Sequence, residues 1–110
     1  ALKYEVGSEG APIILALGRG MMAEKIIDLA KGSNVKIFRS PVLARALYFT
    51  GEIGKEISDK LYTAVAAILA YVFKIDKGET EINEPDFKIP DDLIFDEYGN
   101  KSKNGEKNET

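Results

Sequence analysis

The sequence contains neither cysteine nor histidine. Without cysteine there are no disulfides and no thiolate metal sites. Without histidine the commonest general base, the usual metal ligand and the near-neutral pH switch are lost together. Catalysis would have to rest on carboxylates and lysines, so binding is the better expectation. Long apolar runs are also missing. The longest charge-free run, residues 61 to 73, is shorter than the roughly 20 residues that span a bilayer. No signal or transit peptide is visible. The chain opens at Ala1 inside what already reads as a strand, which suggests a fragment whose beginning lies upstream.

What is present suffices for one domain. The chain has 110 residues, 45% of them hydrophobic, enough for a single core. The net charge of −3 hides a split: residues 1 to 75 carry +3 and residues 76 to 110 carry −6. A mildly basic body with an acidic tail is no nucleic-acid signature, which needs a strong basic stripe with interleaved aromatics. Blocks of charge ordinarily mark solvated or disordered segments.

Residues 1 to 6 alternate, with Leu2, Tyr4 and Val6 on one side, as in a half-buried strand. Pro12 can begin a second strand, and Ile13 to Leu17 run apolar without alternation, like a central strand buried on both faces. Gly18 and Gly20 break it. A helix is expected from Met21 to Lys31, with Met22, Ile26, Leu29 and Ala30 on its inward stripe and Gly32 after its end. Val35 to Phe38 reads as a short strand. Strand, helix, strand with short loops predicts a right-handed crossover and a parallel pair. Ser40 and Pro41 are N-cap and N1 of a second helix, which ends near Gly51. Ser58 caps a third helix reaching about Ile75. Leu61, Val65, Ile68 and Val72 form one of its stripes, and Tyr62, Ala66, Leu69 and Phe73 a second. A small domain can hardly bury every face of such a helix, so part of it is expected to meet a partner or line a groove. The fold class is therefore α/β: a small, mostly parallel or mixed sheet flanked by helices. Residues 1–77 form the domain and residues 78–110 an acidic, largely disordered tail. Within that tail the apolar island Leu93, Ile94, Phe95 and Tyr98 can dock on the body or on a partner.

Few groupings suggest chemistry. The turn Gly18-Arg19-Gly20 could cradle a phosphate at a helix N-terminus, which gives an alternative reading as a small phosphate-ligand-binding protein or enzyme. It is no Walker loop and lacks the third glycine of a dinucleotide fingerprint, so a plain tight turn is the simpler account. Glu52, Glu56 and Asp59 are explained by solvation and capping. Asp91, Asp92, Asp96, Glu97 and Asn100 miss the spacing of an EF-hand. No catalytic residue, metal site or cofactor is expected.

Several motifs occur in a recognisable order. Ala1-Leu2-Lys3-Tyr4 is followed by Ala11-Pro12, then by Gly18 ahead of Ala23-Glu24-Lys25-Ile26. Next come Pro41-Val42 with Leu43, Ala44, Arg45, Ala46, Leu47 and Tyr48, then Glu52-Ile53-Gly54, then Leu61-Tyr62 and Ala64-Val65-Ala66. This resembles the cytoplasmic C-terminal domain of the FlhB/YscU family, or a short FlhB-like soluble relative of it, over residues 1 to about 75. The resemblance implies a component of flagellar or type III protein export in bacteria that switches substrate specificity. The implied partners are export substrates, a length-control protein and other export-gate components. The implied location is the cytoplasmic face of the inner membrane, with membrane attachment only through an upstream part. Family members cut their own chain at an Asn-Pro-Thr-His sequence, which is absent from this chain. The resemblance also implies a substrate-binding patch at Ala11, Pro12, Ala66 and Leu69. Val42, Ser58 and Leu17 depart from the family pattern, which often has Pro, Pro and Lys there. The first two are mild changes at helix starts, and the third alters surface charge.

Overall fold

The computed structural model describes residues 1–4, 10–79 and 83–101. The expectations for Glu5 and Val6, for most of the first loop and for the polar run beyond Lys101 lie outside those residues. Two short strands, β1 (Leu2–Lys3) and β2 (Ile13–Ile14), pair antiparallel, Leu2 opposite Ile14 and Lys3 opposite Ile13. Three helices follow: α1 (Met21–Gly32), α2 (Pro41–Thr50) and α3 (Tyr62–Asp76). The α/β class holds, as a small antiparallel sheet with three helices.

The helix ends are set by local chemistry. Ser40 accepts a hydrogen bond from the Leu43 N–H at 3.4 Å, and Pro41 occupies the first turn of α2, satisfying one orphan donor where proline loses nothing. Ser58 accepts from the Lys60 N–H at 3.3 Å and starts a 3-10 turn, Asp59–Leu61, that leads into α3. Gly51 caps the end of α2, its N–H donating to the Leu47 carbonyl at 2.9 Å, and nothing larger fits there. A Cβ there would collide with Cδ1 of Ile14 and lie 2.6 Å from the Leu47 carbonyl oxygen.

The core is built from Ile14, Leu43, Ala46, Ile57, Leu61, Ala64, Val65 and Ile68, joined by Ile89 and Leu93 from beyond the helices. Of the two stripes, the one through Leu61, Val65 and Ile68 is buried, with Val72 packed on the core. The strand around Ile14 is bonded on both edges: towards β1 the Leu15 N–H donates to the Ala1 carbonyl at 2.9 Å, and the backbone of Ile14 faces the other way. The Ile14 N–H donates to the Lys55 carbonyl at 2.8 Å, and its carbonyl accepts from Gly54 at 2.7 Å.

Four expectations change. Ile13 to Leu17 is no central strand buried on both faces: β2 is only Ile13–Ile14, and Ile13 and Leu15 are 38% and 53% exposed. The parallel pair does not form, and the ladder seen is antiparallel. The segment 35–38 lies along the far half of α3 instead, where Lys36 meets Asp76 at 3.5 Å and Phe38 packs edge-on to Tyr71. Helix α1 is rolled from the expected stripe. Ala23, Ile26, Ile27 and Ala30 are half-buried, whereas Met22 and Leu29 are 54% and 72% exposed. With neighbours on one side only, the four smaller or branched residues take that side. The residues assigned to the tail divide. Residues 83–101 run as a strap over the body, and the apolar island docks on that body. Leu93 is buried, Ile94 and Phe95 pack against the core, and Tyr98 stays exposed. Phe87 meets Phe38 and Phe95 meets Phe49, at 6.3 and 5.2 Å. Lys60 Nζ donates to Asp92 at 2.8 Å. The strap's acidity thus accompanies enough apolar area to be held.

Candidate functional site: an apolar trough beside helix α3

Continuing the β1–β2 register by one residue places Tyr4 opposite Pro12. Directly opposed residues share a sheet face. By the period of two, the pairs Leu2–Ile14 and Tyr4–Pro12 lie on the same face; Leu2 and Ile14 pack into the core, and Tyr4 and Pro12, one step further along, border α3. On that side α3 presents Tyr62, Ala66, Leu69, Ala70 and Phe73, which recur at three- and four-residue spacing and so stack on one face. Together with Tyr4 and Pro12 they line a trough of about 160 Å³. Ala66 and Ala70, one turn apart, leave the low floor. Tyr4, Tyr62 and Phe73 are its aromatic walls. None of the lining side chains is charged.

Three of the four patch residues expected from the family resemblance line this trough: Pro12, Ala66 and Leu69. Ala11 stands next to it in sequence, half-buried and packed on the core. Tyr62 and Phe73 were legible as part of the second α3 stripe. Tyr4 was not assigned to the patch. Its signal was the alternation with Leu2, which needs the strand register to become a location. Ala70 had no signal beyond helical spacing.

The Leu43-to-Tyr48 motif splits. Leu43 and Ala46 are buried and Leu47 packs on the core, so this half is structural. Ala44 is exposed, Arg45 is half-buried, and Tyr48 stands edge-on to Phe49 with ring centres 4.9 Å apart. The turn Gly18-Arg19-Gly20 is explained by backbone geometry. A Cβ at Gly18 would lie 2.7 Å from Met22 Cγ, Gly20 has φ of 58°, and the Met22 N–H donates to the Arg19 carbonyl at 3.2 Å. Glu52, Glu56 and Asp59 are exposed. Among the described residues, no cluster of three or more carboxylates is placed to hold a metal ion. No helix of the described residues is long and apolar enough to cross a membrane.

Residues 1–72 match the model of the FlhB, HrpN, YscU and SpaS family. The chain belongs to that family. It is 50% identical over 72 residues to the flagellar biosynthetic protein FlhB of Aquifex aeolicus, covering 66% of this chain and 21% of that protein. It is 35% identical over 100 residues to FlhB of Escherichia coli K12, covering 86% and 26%. It thus spans about a fifth to a quarter of the curated relatives it matches. A solved structure, the cytoplasmic domain of FlhB from Shewanella putrefaciens, superposes with a TM-score of 0.75 at 40% identity. That match covers 86% of this chain and 78% of the other.

Proposed function

We propose that this chain serves protein export of the flagellar or type III kind, and that the trough beside α3 receives export substrates. The observation that carries the reading is the convergence of Pro12, Ala66 and Leu69 on one apolar trough in a member of the FlhB, HrpN, YscU and SpaS family. A shallow apolar trough suits weak, reversible contact, since residence is short when few side chains are anchored. Substrates that must be passed on need such contact. Recognition and conformational change, without turnover, would then help switch substrate specificity. A length-control protein and export-gate components would be the further partners. The domain would work on the cytoplasmic side of the bacterial inner membrane, tethered through any upstream membrane part. Self-cleavage is no activity of this chain in this reading, because its sequence lacks Asn-Pro-Thr-His.

The test is retention of purified early and late export substrates on the immobilised chain. Leu69→Asp and Pro12→Asp should abolish it, but both residues are at least partly buried and either change could unfold the domain. Ala66→Asp is the cleaner variant, since Ala66 is exposed. Undiminished retention by a folded Ala66→Asp chain would sink the assignment.

A further inference from the structure

The trough has one charged end. The α3 face that carries Ala66, Ala70 and Phe73 continues, at the same spacing, to Lys74 and Lys77. Lys74 is one turn beyond Ala70 and Lys77 one turn beyond Phe73. Both are exposed. The ion pairs of the described residues join Lys36 to Asp76 and Lys60 to Asp92, so Lys74 and Lys77 engage no carboxylate there. The negative end of the helix dipole attracts both charges. The final carbonyls are nonetheless capped: those of Phe73, Lys74 and Ile75 accept from Lys77, Glu79 and Gly78 at 3.1, 3.2 and 3.0 Å. Past the uncharged trough this face thus carries two lysines; of the neighbouring carboxylates, Asp76 is held by Lys36 and Glu79 is exposed two residues beyond Lys77.

We propose that the peptide received in the trough carries a carboxylate about three residues from its apolar anchor, read by Lys77 together with Lys74. This rests on the trough being a peptide site at all. The spacing follows from geometry. Lys77, the residue that caps α3, is seven positions on from Ala70, which at 1.5 Å per residue is about 10 Å. An extended peptide covers about 10 Å in three residues. The apolar anchor supplies the contact area, and the carboxylate supplies orientation and selectivity, because opposite charges at a rim steer encounter and reject the wrong partner. The occupant is therefore an acid-flanked apolar segment, and a lysine-flanked one is disfavoured.

The experiment uses the full chain and two fluorescently labelled 11-residue peptides in a Gly/Ser background. Each has a central Phe. One has Glu three residues to either side, which covers both directions of binding, and its twin has Lys there. Anisotropy at low salt should show the Glu peptide binding about three- to tenfold tighter, the range of an exposed but unscreened charge contact. The preference should shrink at 0.5 M salt, where screening is short-ranged. Lys74→Glu/Lys77→Glu, a double change of exposed residues whose fold is checked by circular dichroism, should reverse it. Ala66→Trp, which fills the trough without adding charge, should weaken both peptides. Equal affinity of the twins, both lost in Ala66→Trp, would overturn the charge reading and leave the trough standing. Failure of both peptides to bind, or binding unaffected by Ala66→Trp, would overturn the trough reading and this inference with it.

Discussion

Helices α1 and α3 are close in length, at 12 and 15 residues, and apolar residues are frequent in both. Yet none of α1 is buried, whereas α3 buries Ala64, Val65 and Ile68. Elements converge on α3 from several sides: Phe38 meets its Tyr71, the 3-10 turn leads directly into it, and Tyr4 and Pro12 meet its outer face. Helix α1 is backed on one side only, and Met21 and Leu29 are 80% and 72% exposed. The contrast teaches that apolar content sets what a helix can bury, while the number of elements around it sets what it does bury. It also explains where a site can form. The trough lies where a well-anchored helix has one face left over, so its walls are held from behind, as a binding surface requires.

The sharpest way to break the comparison is to cut equal side chains from the two regions. Leu61 is fully buried and begins the α3 region. Leu61→Ala should lower stability by about 2–5 kcal/mol, the loss for a buried leucine that leaves a cavity. Leu29→Ala on α1 should change it by less than about 0.5 kcal/mol, as for surface sites. Urea unfolding of both variants at constant slope reads this directly. Comparable losses would mean that α1 is covered in solution.

A somewhat smaller effect is expected in the strap. Leu93 is 7% exposed in the same core cluster, so Leu93→Ala should destabilise by about 2–3 kcal/mol, the low end for a leucine truncation. No loss would show that the strap does not hold its seat. Smaller again, Gly51→Ala should cost about 1–3 kcal/mol by overpacking. Its Cβ meets Ile14 and the Leu47 carbonyl, and φ at Gly51 is an ordinary −96°. Shortening Ile14 in a Gly51→Ala/Ile14→Val double variant should therefore recover part of the loss, which a backbone-strain cause would not allow.

The same contrast decides what was legible in the sequence. The start of α2 was, because Ser40 and Pro41 act within one turn. Both stripes of α3 were, because helical spacing alone fixes which residues share a face. The strand pairing was not. Ile13 to Leu17 and Val35 to Phe38 have strand-like compositions, but Lys36 and Phe38 are claimed by Asp76 and Tyr71, far along the chain. The roll of α1 was not legible either, since two adjacent apolar flanks fit the same spacing and tertiary neighbours chose between them. In the trough, Ala66 and Leu69 follow from the stripe, and Tyr4 appears only once the register of β1 and β2 is known. The strap was visible as an apolar island in an acidic stretch, while its seat among Phe38, Phe49 and Lys60 required the assembled body.

The smallest effect separates the strap from the core by pH. Asp96 accepts from the backbone N–H groups of Asn100 and Tyr98, both at 2.9 Å, and from the Asn100 side chain at 3.3 Å. These bonds, that from the Asn100 backbone foremost, hold its carboxyl below the usual range despite partial desolvation. Asp92 is also lowered, chiefly by its hydrogen bond with Lys60. A folded pKa below the unfolded one means that the unfolded chain binds more protons across the window between them. The stabilisation is therefore complete above the ordinary carboxylate range, near pH 4, and is lost as pH falls through the lowered values. Among the described residues no polar or charged one is buried, so acid should loosen the strap first. Methyl NMR signals of Leu93 should move on acidification below about pH 4 while those of Leu61 hold, and Asp96→Asn should reduce that response. If Leu93 and Leu61 respond together, the strap is part of one cooperative unit with α3, and the division between a clamped region and an open one belongs to α1 alone.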